Sequence, residues 1–88
     1  MSHRKLVIVP TYNELENISD MVRTVMELEG NFELLVIDDG SPDGTASVVK
    51  SMQSTYEGRL HLMERAGKQG LGTAYIAGFR WALAANYD

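Results

Sequence analysis

Short unbroken apolar runs alternate along this chain with stretches in which apolar residues recur every three or four positions. Leu6-Val7-Ile8-Val9 is continuous and closed by Pro10, which predicts a strand buried on both faces. Asn13 and Glu16 have capping-box spacing and open a predicted helix. Its apolar stripe is Leu15, Ile18, Val22 and Val25, widened by Met21 and Leu28, and Gly30-Asn31 supplies the stop. Residues 32–37 form a second apolar run, and Val48, Val49 and Met52 mark a second helix that loosens near Thr55 and stops at Gly58. Leu60 and Leu62 alternate with His61 and Met63 in a shorter third strand. An Ala-rich helix over residues 73–86, with Phe79 and Leu83 four positions apart, comes last.

The order is β-α-β-α-β-α, with crossovers of roughly ten residues or more. Such connections demand parallel strands, right-handed crossovers and helices on both faces of the sheet. The expected class is therefore α/β, three-layered and Rossmann-like, half of a doubly wound domain. The alternation predicts a further strand after the last helix, so the expectation for residues 1–88 is the amino-terminal portion of a longer domain, truncated, with one sheet edge open.

Composition narrows the function classes. Eight basic and twelve acidic residues leave a net charge of −4, which disfavours a general nucleic-acid surface. The absence of cysteine excludes disulfides, thiolate metal sites and a cysteine nucleophile. No apolar run approaches the ~20 residues of a membrane span, and the polar start shows no signal peptide.

Ligands of doubly wound sheets bind beyond the carboxyl ends of the strands. Three loops meet that condition, over residues 10–14, 38–45 and 64–72. Asp38 and Asp39 are adjacent on a strand end and point to opposite sides, so one of them faces the cleft. Ser41 and Asp43 offer the turn and the N-cap for the helix at Thr45, which leaves one strand-end carboxylate without a structural duty. In the first loop Tyr12 can stack on a planar base and Glu14 can accept from base or sugar. On its own that segment serves equally as a cap, a solvated first-turn carboxylate and a packing tyrosine. Arg65 and Lys68 flank glycines that allow close approach of phosphate oxygens, yet GKQGLG matches neither the P-loop nor the Gly-x-Gly-x-x-Gly order. His3 and His61 have no partners at metal-ligand spacing and read as structural. Gly78 reads as a close helix–sheet contact, and Tyr75 and Trp81 as packing.

Three strings, VIVPTYNELENI, LLVIDDGSPDGT and KQGLGTAYIAGFRWAL, resemble the start of nucleotide-sugar glycosyltransferases of the GT-A fold, and specifically the dolichol-phosphate (polyprenol-phosphate) mannosyltransferases. The resemblance runs from Leu6 to Asp88. It implies a GT-A half-domain and transfer of mannose or a similar hexose from a nucleotide sugar, GDP-mannose favoured, to polyprenyl or dolichyl phosphate. It implies nucleotide-sugar contacts at Pro10, Tyr12, Glu14, Ile37, Asp39 and Lys68, with Asp39 on the base. The family's metal-binding Asp-x-Asp is expected beyond Asp88. The divalent cation (Mg or Mn) is thus expected of the full-length enzyme, and neither a metal ligand nor a catalytic residue of this chain. The full-length enzyme is expected at the cytoplasmic membrane face, as a peripheral protein. The alternative is a non-catalytic nucleotide-binding or self-associating module, a homodimer through the exposed sheet edge at residues 6–9. A response-regulator-like domain would suit the Asp pair but leaves the Tyr-Asn-Glu loop without a role.

Overall fold

The structure is a computed structural model that describes residues 5–66 and 70–85. Its elements are β1 (Leu6–Thr11), α1 (Ile18–Met26), β2 (Glu33–Asp38), α2 (Thr45–Met52), β3 (Leu60–Glu64) and α3 (Leu71–Ala84). The strands pair in parallel in the order β1-β2-β3. The alternating α/β class is therefore as the sequence predicts.

Both faces of the sheet are apolar because successive side chains of each strand point to opposite sides. On one face Leu34, Val36 and Leu60, flanked by Val7, Val9 and Leu62, pack against Ile18, Val22 and Met26 of α1 and Val49 of α2. On the other Leu35 and Ile37, flanked by Leu6, Ile8 and Met63, pack against Ala74 and Trp81 of α3. Complete burial of each such side chain stabilises by roughly 1.5–3 kcal/mol. The fully closed ones concentrate on β2 because it alone has a strand on either side. β1, although apolar from Leu6 to Pro10, is only half-buried there, because among the described residues no strand pairs with its outer edge.

Three local expectations are corrected. β1 continues through Pro10 to Thr11. The amides of Glu33 and Asp39 bond the carbonyls of Lys5 and Thr11, so odd-numbered residues of β1 face β2. The nitrogen of Pro10 therefore lies on the outer edge, where no donor is required. Asn13 does not cap α1: it takes a left-handed φ of 55°, and the helix starts at Ile18 after a turn, with Asn17 at the cap. Leu15 is accordingly exposed rather than part of the buried stripe. Finally, Phe79 and Leu83 mark the outer side of α3, where they lie exposed with Tyr75 and Ile76, and Tyr75 stacks on Phe79 rather than on the core. Among the described residues no helix is long and apolar enough to cross a membrane.

His61 has a structural duty. Its ring lies 2.9 Å from Glu33 and tilts against Trp81 at a centroid distance of 5.0 Å. His3 lies outside the described residues. Gly78 is the point where α3 comes down on the sheet: a Cβ there would stand 2.8 Å from Ile8 Cγ2 and 3.0 Å from Ile37 Cδ1. Gly78→Val should therefore overpack this contact and cost about 2 kcal/mol. Urea unfolding of the two chains checks this, and an unchanged midpoint would contradict it.

Candidate functional site

The register puts three residues of three strands in one line. Thr11 pairs with Asp38, and Asp38 with Glu64. The next residues, Tyr12, Asp39 and Arg65, leave the sheet side by side. The Asp39 amide bonds the Thr11 carbonyl at 3.1 Å, and the Arg65 amide bonds the Asp38 carbonyl at 2.8 Å.

The two adjacent carboxylates part as their alternation requires, and both acquire partners. Asp38 is 1% exposed. Its Oδ1 accepts from the Thr11 hydroxyl at 2.8 Å and the Ser41 hydroxyl at 2.6 Å, and its Oδ2 accepts from the Ser41 amide at 2.9 Å. Asp39 turns the other way and meets Arg65 side-on, Nε to Oδ1 at 2.6 Å and Nη2 to Oδ2 at 2.9 Å. The same guanidinium reaches the Thr73 hydroxyl and the Gly70 carbonyl at the start of α3. The side chains of Arg65 and Asp39 are 10% and 7% exposed. Asp39 raises the already high pKa of Arg65, which stays a cation. Such a pair is tolerable in so closed a place because the extra acceptors satisfy the remaining donors. The expectation that one strand-end carboxylate lacks a structural duty is thus corrected.

The loop after β2 also holds the loop after β1. The amides of Asn13, Glu14 and Leu15 donate in turn to Ser41 Oγ at 2.8 Å, Thr45 Oγ1 at 3.0 Å and Asp43 Oδ2 at 3.1 Å. Asp43 also receives the Thr45 hydroxyl and amide at the start of α2, where Gly44, at a φ of 94°, and not Asp43 takes the expected N-cap position. Sequence reasoning placed the Ser41 and Asp43 side chains within their own loop and did not foresee the contacts across to residues 13–15. Small hydroxyl and carboxyl side chains facing a Tyr-Asn-Glu turn are the signal, and it becomes readable only once the strands are in register. The pairing of Thr11 with Asp38, and of Arg65 with Asp39 rather than with phosphate oxygens, escaped for the same reason.

The expected contact residues separate. Pro10 and Glu14 line a cavity of about 180 Å³ at the end of β1, together with Thr11, Asn17 and Met21; that is below the roughly 300–1,000 Å³ of sites that enclose a whole small molecule. Tyr12 is partly exposed and, like Asp39, does not line that cavity. Ile37 is completely closed off beneath α3 beside Gly78, and offers a ligand no surface here. Lys68 lies outside the described residues. Among the described residues no group of three or more His, Asp or Glu side chains is arranged to hold a metal. With Asp38, Asp39 and Asp43 committed to hydroxyl, guanidinium and amide donors, the strand-end carboxylates do not fit a divalent cation.

Asp43 has its pKa lowered from the ordinary 3.8, first by the Thr45 hydroxyl and further by the Leu15 and Thr45 amides, against an opposing desolvation cost. A lowered folded-state value means the bracket's stabilisation is complete above the unfolded value and is lost as pH falls through the folded one. The stability advantage of the natural chain over Asp43→Asn should therefore be flat near neutrality and shrink once pH drops below 3.8. Thermal melts of both chains from pH 7 to pH 2.5 check this, and a difference that is constant throughout would refute it.

The geometry can be set beside known proteins. The family model described as "Glycosyl transferase family 2" matches residues 6–85. The polyprenol monophosphomannose synthase of Mycolicibacterium smegmatis is 45% identical over 87 residues, which is 99% of this chain and 33% of that protein. The undecaprenyl-phosphate mannosyltransferase of Micrococcus luteus is 41% identical over 85 residues, 97% of this chain and 35% of that protein. The chain thus spans about a third of the length of these relatives. Among solved structures, a mannosyltransferase from Pyrobaculum calidifontis in complex with GDP-Man and Mn2+ matches with a TM-score of 0.84 at 32% identity, over 93% of this chain and 25% of that one. The architecture is that of a GT-A, Rossmann-like half-domain. With the family model spanning every strand and helix described above, the chain belongs to glycosyl transferase family 2.

Proposed function

We propose that this chain is the nucleotide-binding, amino-terminal portion of an inverting glycosyltransferase that moves mannose, or a similar hexose, from a nucleotide sugar to a polyprenyl phosphate. The observation that carries the reading is the register, which ends three parallel strands together at Tyr12, Asp39 and Arg65, with a separate cavity lined by Pro10 and Glu14 at the end of β1. The names of the relatives supply the substrate classes. GDP-mannose is the favoured donor, since the solved relative holds GDP-Man.

In this reading Tyr12 offers its ring to the base, and Glu14 accepts hydrogen bonds from base or sugar donors. Asp39, held by Arg65, joins them at the nucleoside as the resemblance implies. Lys68 joins them on the strength of the resemblance alone. In the whole enzyme an oxygen of the lipid phosphate attacks the anomeric carbon as the bond to the nucleoside diphosphate breaks, and the configuration inverts. The divalent cation and the acceptor-positioning groups belong to the remainder of that enzyme. It works at the cytoplasmic membrane face, where its lipid acceptor resides.

A cavity of this size fits part of a nucleotide, so binding should be weak. Calorimetric titration is expected to give a Kd for GDP of about 1 mM, equivalent to about −4 kcal/mol. Glu14→Gln should weaken it about tenfold, the worth of one hydrogen bond to a charged group. The isolated chain should transfer no labelled mannose to lipid phosphate. Absence of binding by both GDP and UDP would defeat the nucleotide reading, and measurable transfer would defeat the division of labour.

A second reading, a self-associating module, is favoured by one feature: among the described residues β1 is an edge strand. Its apolar run is a template for addition of a second copy. In that case light scattering gives twice the chain mass, and a monodisperse monomer at high concentration discards the idea.

A further inference from the structure

The contacts between the two loops form a relay. Ser41 Oγ donates its proton to Asp38 Oδ1 at 2.6 Å and so turns a lone pair to the Asn13 amide at 2.8 Å. Thr45 Oγ1 donates to Asp43 Oδ1 at 2.6 Å and accepts from the Glu14 amide at 3.0 Å. The second oxygen of Asp43 takes the Leu15 amide at 3.1 Å. Three consecutive amides are thus held by side chains 28, 31 and 28 positions away, so this is not local capping. Thr45 is fully buried, and Asn13, between Tyr12 and Glu14, is kept at a φ of 55° that asparagine tolerates better than most residues. With the backbone pinned on either side of that bend, the directions in which Tyr12 and Glu14 leave it are set.

We propose that Ser41, Asp43 and Thr45 are positioning residues for nucleoside recognition: through the amides of residues 13–15 they hold the turn that presents Tyr12 and Glu14, without touching the nucleotide. The proposal rests on the nucleotide-binding reading above. It differs from a purely stabilising role, because loss of the bracket should reach the ligand before it reaches the fold.

The test uses the whole 88-residue chain with two readouts: amide hydrogen exchange without ligand, and GDP affinity. Thr45→Val keeps the shape of the side chain and removes both hydrogen bonds of the hydroxyl, whereas Thr45→Ser keeps them. In Thr45→Val, exchange at the Glu14 amide should rise and GDP affinity should fall, each by about tenfold. The Leu35 and Val36 amides of β2 should stay protected. Ser41→Ala should act likewise through the Asn13 amide, and Thr45→Ser should restore both readouts. An exposed Glu14 amide with unchanged GDP affinity overturns the proposal, as does an affinity loss matched by equal loss of protection at Leu35. A natural chain that binds neither GDP nor UDP overturns the underlying nucleotide reading and the proposal with it. Natural binding that survives in Thr45→Val overturns the proposal alone.

Discussion

Two carboxylates leave the end of the central strand in opposite directions, and neither is left to water. An ionised group in so closed a place must be matched by donors or a counter-charge, since the cost of leaving it unmatched exceeds any packing gain nearby. Asp38 meets this demand with the hydroxyls of Thr11 and Ser41, and Asp39 with the guanidinium of Arg65. Each solution recruits a different piece of chain. Asp38 ties the tip of β1 to the loop that leads into α2, while Asp39 ties the tip of β2 to the segment that enters α3. Among the described residues, no buried side-chain nitrogen or oxygen is left without a hydrogen bond.

That constraint shapes the candidate site. A glycosyltransferase donor site must accept donors of a base and a sugar while enduring the charge of a diphosphate. Here the acidic groups nearest the strand tips are already engaged, and the accessible carboxylate at the cavity is Glu14. A net charge of −4 adds no general attraction for phosphate, so the proposed recognition of a nucleoside depends on directional hydrogen bonds. The small cavity accords with the proposed division, in which this half-domain holds the nucleoside and the rest of the enzyme the charged end and the acceptor.

The sequence-level reading located the three loops at the strand ends and the residues within them, because apolar runs and helical stripes are local signals. It misjudged what those residues touch. Asn13 has the spacing of a cap, yet the amides around it are satisfied by Ser41 and Thr45 from the next crossover, which frees the residue to bend the chain. Ile37 lies one position before the acidic pair and was expected at the ligand, but strand alternation sends it under α3. Of the two aromatic residues of α3 expected to pack, Trp81 reaches the sheet, together with Ala74 and Gly78, whereas Tyr75 lies on the exposed side.

The order of elements, the parallel sheet and the clustering of chemistry at the strand ends were determined by the sequence alone. Hydrophobic periodicity fixes each element within a few residues, and crossover length then leaves few topologies. The partners of Asp38, Asp39 and Asp43 were decided only in three dimensions. Each pair joins segments 26–28 residues apart, or donors within one turn whose choice depends on the neighbouring loop. A strand register, and not a local pattern, is what brings such groups within hydrogen-bond reach.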